Sequence, residues 1–554
     1  MKKLNIKRIL IIIVTALIMF WFLLPPLNPQ TPEFWSYLVG VFIVSGIACF
    51  ILGRPASFFA GRFSRRYGKR FDKDDLKDMW QNAGDGSELF SLRPFLLAAA
   101  CFIISALFAL ISSSIFHAGT YANRMVPENG VFEDLPTSDD VDHISLMDTN
   151  SARILGDRVI GSLTDLVSQF EVSDGYTTLV YNDTIIKAAP LEYGGFFKFV
   201  NNYKSGVPGY VKVDTQSFDA TFVRTAQGMK YMERGYFFNY LPRHLRIQYP
   251  FAILGTPQFE IDEEGLPYCV TPVYKRLFLF QGDVIKGAVI TDPSSGESNY
   301  YDLGNIPDWV DNVLTGNFAC SLYDAYGSLR NGWLNSVIGQ KGCLKTTDDF
   351  GYLAKGNDLF IYTGVTSVNA DESNLGFIMV NARTGICTYV ECAGAEEYSA
   401  MTAAQGAVQN YGYQASFPSL VTVDNVPTYV MVLKDSGGLV KEYAAVNVNN
   451  YTIVSVSTSL NGALKEYRGR IAKGGATVPS GETISKKITV ASVVFADTEG
   501  NTYAYLIDKD DVIYKIAVAA DETVVAVKEG DVVTVEYTDD QEGYEVILIS
   551  SIER

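Results

Sequence analysis

The sequence predicts an α+β protein in which three apolar helices near the N-terminus precede a strand-rich region filling most of the 554 residues. Three observations predict this. Charge-free apolar runs occupy 9–24, 34–52 and 95–116, and at a rise of about 1.5 Å per residue each covers most or all of a hydrocarbon layer about 30 Å thick. Beyond them, short β-branched or aromatic stretches bounded by Gly, Pro, Asn or Asp recur to the C-terminus. Charge divides at the same place: residues 1–116 hold 13 Lys/Arg against 7 Asp/Glu, so of the net −17 the remaining 438 residues carry −23.

The first run follows Lys2, Lys3, Lys7 and Arg8 and reads as a signal anchor, since no small-x-small cleavage site precedes the Pro25–Pro32 segment. The loop 53–94 holds nine Lys/Arg and the loop 25–33 none. That positive-inside pattern predicts a multi-pass protein of the cell membrane, N-terminus cytoplasmic and C-terminal region extracytoplasmic. Trp21, Trp35 and Tyr37 fall at the outer ends of the first two runs, where amphipathic rings prefer to lie. No run contains a charge, which argues against ion transport by this chain alone. The basic cluster Arg62, Arg65, Arg66, Lys69 and Arg70 sets topology, with anionic lipid heads or a cytoplasmic partner as the alternative use.

Residues 117–150 are rich in Asp, Glu, Pro and Ser and read as an acidic tether. Apolar positions Leu155, Val159, Leu163, Leu166 and Val167 predict a helix over 151–170 that opens an α+β module, 151–236. A strand-rich module over 316–394 is expected further on. Two pairs of segments look alike. In 289–301 and 379–390 a strand meets a turn in which Asp292 or Asn381 can accept from the backbone two residues on, and Gly296 or Gly385 supplies positive φ. Each is followed by a short helix candidate, 307–314 and 396–410. In 259–270 and 420–430 the order is strand, polar turn, Pro, Tyr, strand.

The helix with Ala400, Ala403, Ala404 and Ala407, the Val426–Tyr429 strand entry and the Lys441–Asn447 strand resemble the PepSY domain, with 395–470 as one copy and 237–315 as a looser one. The resemblance implies small α+β modules, frequent in extracytoplasmic proteins of bacteria, that bind or restrain other proteins and bring no catalytic residues. The five strands expected within 482–554 are similar to an OB-like small β-barrel.

Little chemistry is announced. Of three histidines, His117 lies at the edge of the last apolar run, His143 in the tether, and His244 reads as structural; no nucleophile elbow accompanies them. Metal-ligand spacings and phosphate-cradling loops are absent, so no cofactor is expected, and Asp508–Asp511 reads as a solvated turn. The five cysteines outside the apolar runs are an odd set and read mainly as buried small hydrophobes. Cys387 and Cys392, five apart in a strand, should face opposite sides. A surface this acidic disfavours nucleic acid and anionic lipid surfaces. Among 66 Phe and Tyr and five Trp, Trp309, Trp333, Tyr411 and Tyr413 are candidates for partner contact, with core packing the blander role.

The expected function is therefore that of a non-catalytic membrane-anchored envelope protein presenting a binding or scaffolding domain to a protein or cell-wall partner. The alternatives are a carboxylate-based glycan or peptide hydrolase and an accessory subunit of a membrane complex or transporter.

Overall fold

The computed structural model describes residues 2–52, 88–131, 135–137, 144–369, 373–473, 484–498, 501–518, 521–540 and 543–553. Its first helices are α1 (Lys2–Leu23), α2 (Pro32–Leu52) and α3 (Glu88–Ile111). Two of them contain stretches long and apolar enough to cross a membrane, Pro32–Cys49 and Leu92–Ile111, whereas the apolar part of α1, Ile9–Leu23, is shorter. Small residues set their packing: a Cβ at Gly40 would lie 2.7 Å from Met19 Cε, and one at Gly46 2.9 Å from the Phe95 ring. The third helix does not run over 95–116 as expected. It starts at Glu88 and breaks at Ser112, whose hydroxyl accepts from the Phe280 amide at 3.1 Å; α4 (Ser114–Ala122) then resumes, kinked at His117.

The segment 117–150, expected as a tether, is pinned down in its described parts. Strand β1 (Glu128–Asn129) pairs in parallel with Thr388 and Tyr389, Ile144 bridges to Leu353, and the Thr422 amide donates to the Pro136 carbonyl at 2.8 Å. Leu135, Ile144, Leu146 and Met147 are buried: the apolar residues scattered among its acids find sheet faces to cover.

The next 300 or so residues form four modules with one connectivity. The first has helix α5 (Thr149–Gly161) and strands β2 (Phe170–Val172), β3 (Thr177–Tyr181), β4 (Thr184–Tyr193), β5 (Val207–Asp214) and β6 (Ala220–Met229), with α6 (Phe196–Asn202) between β4 and β5. The second has α7 (Leu241–Gln248), β7 (Ile253–Leu254), β8 (Gln258–Ile261), β9 (Pro267–Arg276), β10 (Asp283–Thr291) and β11 (Ser298–Asp302). The third has α8 (Gly316–Leu329), β12 (Leu344–Thr346), β13 (Gly351–Lys355), β14 (Asp358–Ser367), β15 (Ser373–Asn381) and β16 (Cys387–Ala395). The fourth has α9 (Glu397–Ala407), β17 (Gln414–Ala415), β18 (Ser419–Val423), β19 (Val426–Lys434), β20 (Val440–Asn447) and β21 (Val454–Ser457), followed by α10 (Leu460–Lys473). In each, both leading strands pair with one edge of the third, and the fourth and fifth follow on its other edge. The look-alike segments occupy equivalent places: β8–β9 and β18–β19, then β10–β11 and β15–β16. At the latter turns Asp292 and Asn381 accept from Ser294 and Arg383 amides, and Gly296 and Gly385 have φ of 80° and 76°.

Two expected helices differ. The one predicted over 151–170 starts two residues earlier, capped by Asp148 on the Ser151 amide at 2.8 Å. It stops at Gly161, where the Ser162 hydroxyl bonds back to the Val159 carbonyl at 2.7 Å. The stretch 307–314 is not helical; as an irregular strap with a turn at Pro307–Val310 it buries Val310 and Val313 against Val270, Ala288 and Ile290.

The third and fourth modules stack as helix, sheet, helix, sheet, helix. Ile361, Ile378, Val380 and Cys387 face α8, while Phe377, Met379, Val390 and Cys392 on the other side of the same sheet face α9. Helix α9 is in turn covered by Leu420, Tyr429, Met431 and Ala444, whose strand neighbours Val421, Val430 and Val432 face Leu464, Tyr467 and Ile471 of α10. Ala400 and Ala404 form the buried side of α9 between the sheets and are small enough to let both approach, while Tyr398, Thr402 and Gly406 face solvent. Strands covered on both faces lose the hydrophobic alternation, and β18 is buried throughout.

Strands β22 (Ile484–Thr498), β23 (Asn501–Asp508), β24 (Ile513–Ala517), β25 (Val532–Asp540) and β26 (Gly543–Glu553) close into a barrel of order β22-β23-β24-β26-β25, with β24 and β26 parallel. Closure leaves no open edge for another chain.

The second module clamps the ends of the apolar helices. Arg243 donates to the Trp21 carbonyl at 3.1 Å with its guanidinium 4.2 Å above the Trp21 ring, and Arg246 donates to the Leu24 and Ala252 carbonyls at 3.0 and 2.6 Å. Arg276 reaches the Gln30 carbonyl at 3.1 Å, and the Leu27 amide donates to the Pro250 carbonyl at 2.7 Å. The carbonyls closing α1 lack helical donors, and cations are the natural partners at that end. Arg246→Ala should lower stability by about 3 kcal/mol, because it strands two carbonyls bonded to a charged donor. Arg246→Lys should restore only part, since one ammonium lacks the fork that spans both. Thermal unfolding of the full chain in detergent measures both.

Candidate functional site

The described residues place buried acids at the joints between modules. Glu260 on β8 is fully buried and accepts the Asp311 and Asn312 amides at 2.8 and 2.6 Å. Asp311 accepts the Val180 amide of the first module at 2.7 Å, and the Asn312 side chain donates to the Thr178 carbonyl at 2.9 Å. From the third module, Arg383 donates to the Asp308 carbonyl at 2.7 Å and pairs with Asp358. Burial raises Glu260 to about 7; it also holds Asp311 well above the carboxylate range, reinforced by the Glu260 charge and opposed by Arg383. The void beside this joint is ≈30 Å³, room for about one water. These acids stitch three modules together and are closed to a substrate.

A second joint uses Glu397, fully buried at the start of α9, whose Oε1 accepts the Gly364 amide of β14 at 2.7 Å while Oε2 has no hydrogen-bond partner. Burial raises it to about 7. At the first–fourth contact, Lys434 pairs with Asp148, the cap of α5.

An open cavity lies between the first and second modules, ≈310 Å³, the low end for a small-molecule site. Phe259, Pro190, Met232 and Leu241 give it apolar walls, and Tyr176, Glu192, Glu233 and Gln258 its polar groups. Arg234 approaches Glu192 Oε2 at 3.0 Å and also neighbours Glu171 and Asp174. Burial raises both Glu192 and Glu233, with Arg234 opposing. The Tyr176 hydroxyl has no hydrogen-bond partner and sits over Gly156, where a Cβ would collide with it. Cys269, also on the wall, is pushed up to about 12 by burial and is a poor nucleophile. Two carboxyl groups, a phenol and apolar walls suit a small ligand carrying hydrogen-bond donors.

The candidate aromatics are scattered. Trp309 is half-buried against Tyr268, ring centroids 4.8 Å apart, beside the Glu260 joint. Trp333 is half-buried at the start of a short helical stretch whose residues Leu334, Val337 and Ile338 are exposed. Tyr411 and Tyr413 stack on each other at 5.3 Å in the fourth module and are the two that meet. Arg62, Arg65, Arg66, Lys69 and Arg70 lie outside the described residues. His244 bonds the Gly296 carbonyl at 2.7 Å and packs on Tyr231, a structural role. Sequence reasoning missed Glu192, Glu233 and Tyr176; they come from separate elements and no local spacing marks them. No family model matches the chain, and no curated protein matches it.

Glu397 gives a pH test. Its folded pKa lies above the ordinary 4.5, so its stabilising contribution is complete below that pH and is lost as pH rises through about 7. At 1.36 kcal/mol per unit this amounts to about 3 kcal/mol at most. Glu397→Gln keeps an acceptor for the Gly364 amide and cannot ionise, so the fall in unfolding midpoint between about pH 4.5 and 7.5 should become shallower than in the parent chain.

Proposed function

We propose that this chain is a three-pass membrane protein holding a rigid, non-catalytic binding platform at the extracytoplasmic face. On this reading α1, α2 and α3 cross the bilayer, the loop after α2 is cytoplasmic, and the four modules with their terminal barrel stand outside. The shared connectivity of the modules supports a PepSY-like reading for all four. The strand order of the barrel, with its third and fifth strands parallel, supports the OB-like one. One observation carries the functional part: polar side chains buried at the joints, Glu260, Asp311 and Glu397, bind neighbouring modules directly, so the modules present fixed surfaces. The partner is a protein or cell-wall component.

A specific observation favours a second reading. Glu192 and Glu233 share an accessible cavity with raised pKa values, as an acid and base of a glycan or peptide hydrolase would. Against it, Glu192 is already paired with Arg234 at 3.0 Å, whose charge opposes the rise that burial produces.

Protease added to intact cells should remove the region beyond α4 while leaving the apolar helices, and its protection would overturn the sidedness. Capture of the full chain in mild detergent should retrieve a stoichiometric protein partner or cell-wall fragments, and Glu192→Gln with Glu233→Gln should leave that capture unchanged. Hydrolysis of cell-wall polymer by the parent chain, abolished in this double variant, would establish the hydrolase instead.

A further inference from the structure

The platform exposes an unusual number of Phe side chains, and they are joined to the ends of the apolar helices. Trp21 at the end of α1 meets Phe238 at 5.0 Å, edge to face; Phe237 is next in sequence and meets Phe196, which meets Phe197. On the other side of the clamp, Phe278 lies 6.1 Å from His117 of α4. Phe251 adjoins the α1–α2 loop, its carbonyl accepting from Asn28 at 3.3 Å. Exposure is 79% for Phe197, 65% for Phe238, 67% for Phe251 and 47% for Phe278. No core explains rings this open.

The charge of the segments that carry them is also set apart. Within a region of net −23, the segments 194–209, 235–259 and 273–282 contain no Asp or Glu and hold Lys198, Lys204, Arg243 and Lys275, together with Arg246, which is buried, and Arg276, which pairs with Asp283 at 2.8 Å. Phenyl rings beside cations, continuous with helix ends that carry their own Trp, have the composition of a membrane interface.

We propose that this face lies on the outer leaflet, with Phe196, Phe197, Phe237, Phe238, Phe251 and Phe278 inserted at the headgroup boundary of an anionic phospholipid surface. The proposal rests on the membrane-spanning reading. It adds that the platform lies against the bilayer and is not held clear of it. Its first two modules bear on lipid, which directs partner-binding surfaces to the rest of the stack.

The photoreactive residue p-benzoylphenylalanine tests this in the full chain, reconstituted in nanodiscs of phosphatidylglycerol and phosphatidylethanolamine. It is placed at Phe197 or Phe251, at Leu107 in α3 as a lipid reference, and at Glu529 in the barrel as a water reference. After irradiation, peptides containing positions 197, 251 and 107 should gain the mass of a phospholipid, and those containing 529 should not. Adducts at 107 but at neither 197 nor 251 would overturn the seating while leaving the spans intact, and would favour a protein cover for the Phe face. No adduct at 107 would overturn the membrane-spanning reading itself. Gain of lipid at 529 equal to that at 197 would show unselective labelling and overturn the assigned face.

Discussion

The bonds from Arg243 and Arg246 to the last carbonyls of α1 fix how the rest of the protein stands. An isolated helix end exposes carbonyls that water normally satisfies; here two guanidinium groups from α7 satisfy them and carry the second module with them. Arg246 is buried, which lowers its pKa to about 10, still far above neutral, so the clamp keeps its charge. Because the Glu260 joint ties the second module to the first and third, and Glu397 ties the third to the fourth, orientation propagates along the stack. The described parts of the chain between α4 and α5 lie against the third and fourth modules, where Glu128, Thr137 and Ile144 pair with their strands.

How much of this the residues announced depended on whether a signal was local. The apolar runs, the Asp-to-Gly turns and the five barrel strands are local, and the elements appear within a few residues of their expected bounds except the third apolar helix, which starts seven residues early and ends five early. Two modules were visible as a pair because their hairpins keep similar turns. The fourfold repeat was not, since the strands that define it, β2, β7, β12 and β17, are two or three residues long and are held by pairing with a distant strand. The opposite orientation of Cys387 and Cys392 followed from strand geometry and appears as two separate cores. That α9 is alanine-rich could be read; that two sheets require it could not.

The site was less accessible to sequence for a related reason. Acids abound in the chain, and what distinguishes Glu260, Asp311 and Glu397 from the rest is burial by other modules, a tertiary property. Their raised pKa values resemble those of catalytic acids, but enclosure separates the two cases. A carboxyl group that accepts two backbone amides inside a joint is spent on holding it, whereas Glu192 and Glu233 border open space. A perturbed acid is therefore informative here only together with access.

Net charge is a poor guide at the same scale. A region at −23 should repel anionic surfaces if its charge were spread evenly, yet screening at physiological salt limits each charge to about 8 Å. What a surface meets is the charge within that distance. Three acid-free segments form a base that sets Lys198, Lys204, Arg243 and Lys275 beside the exposed phenyl rings, while Arg246 is buried and Arg276 is paired with Asp283. Such segregation separates two tasks that one uniform surface could not perform together. The base is suited to anionic headgroups, while the acidic remainder repels them and stays available to cationic partners. On the proposed seating, self-repulsion between the acidic remainder and an anionic leaflet would hold the stack in one attitude, pressed down at its first two modules and raised at the others.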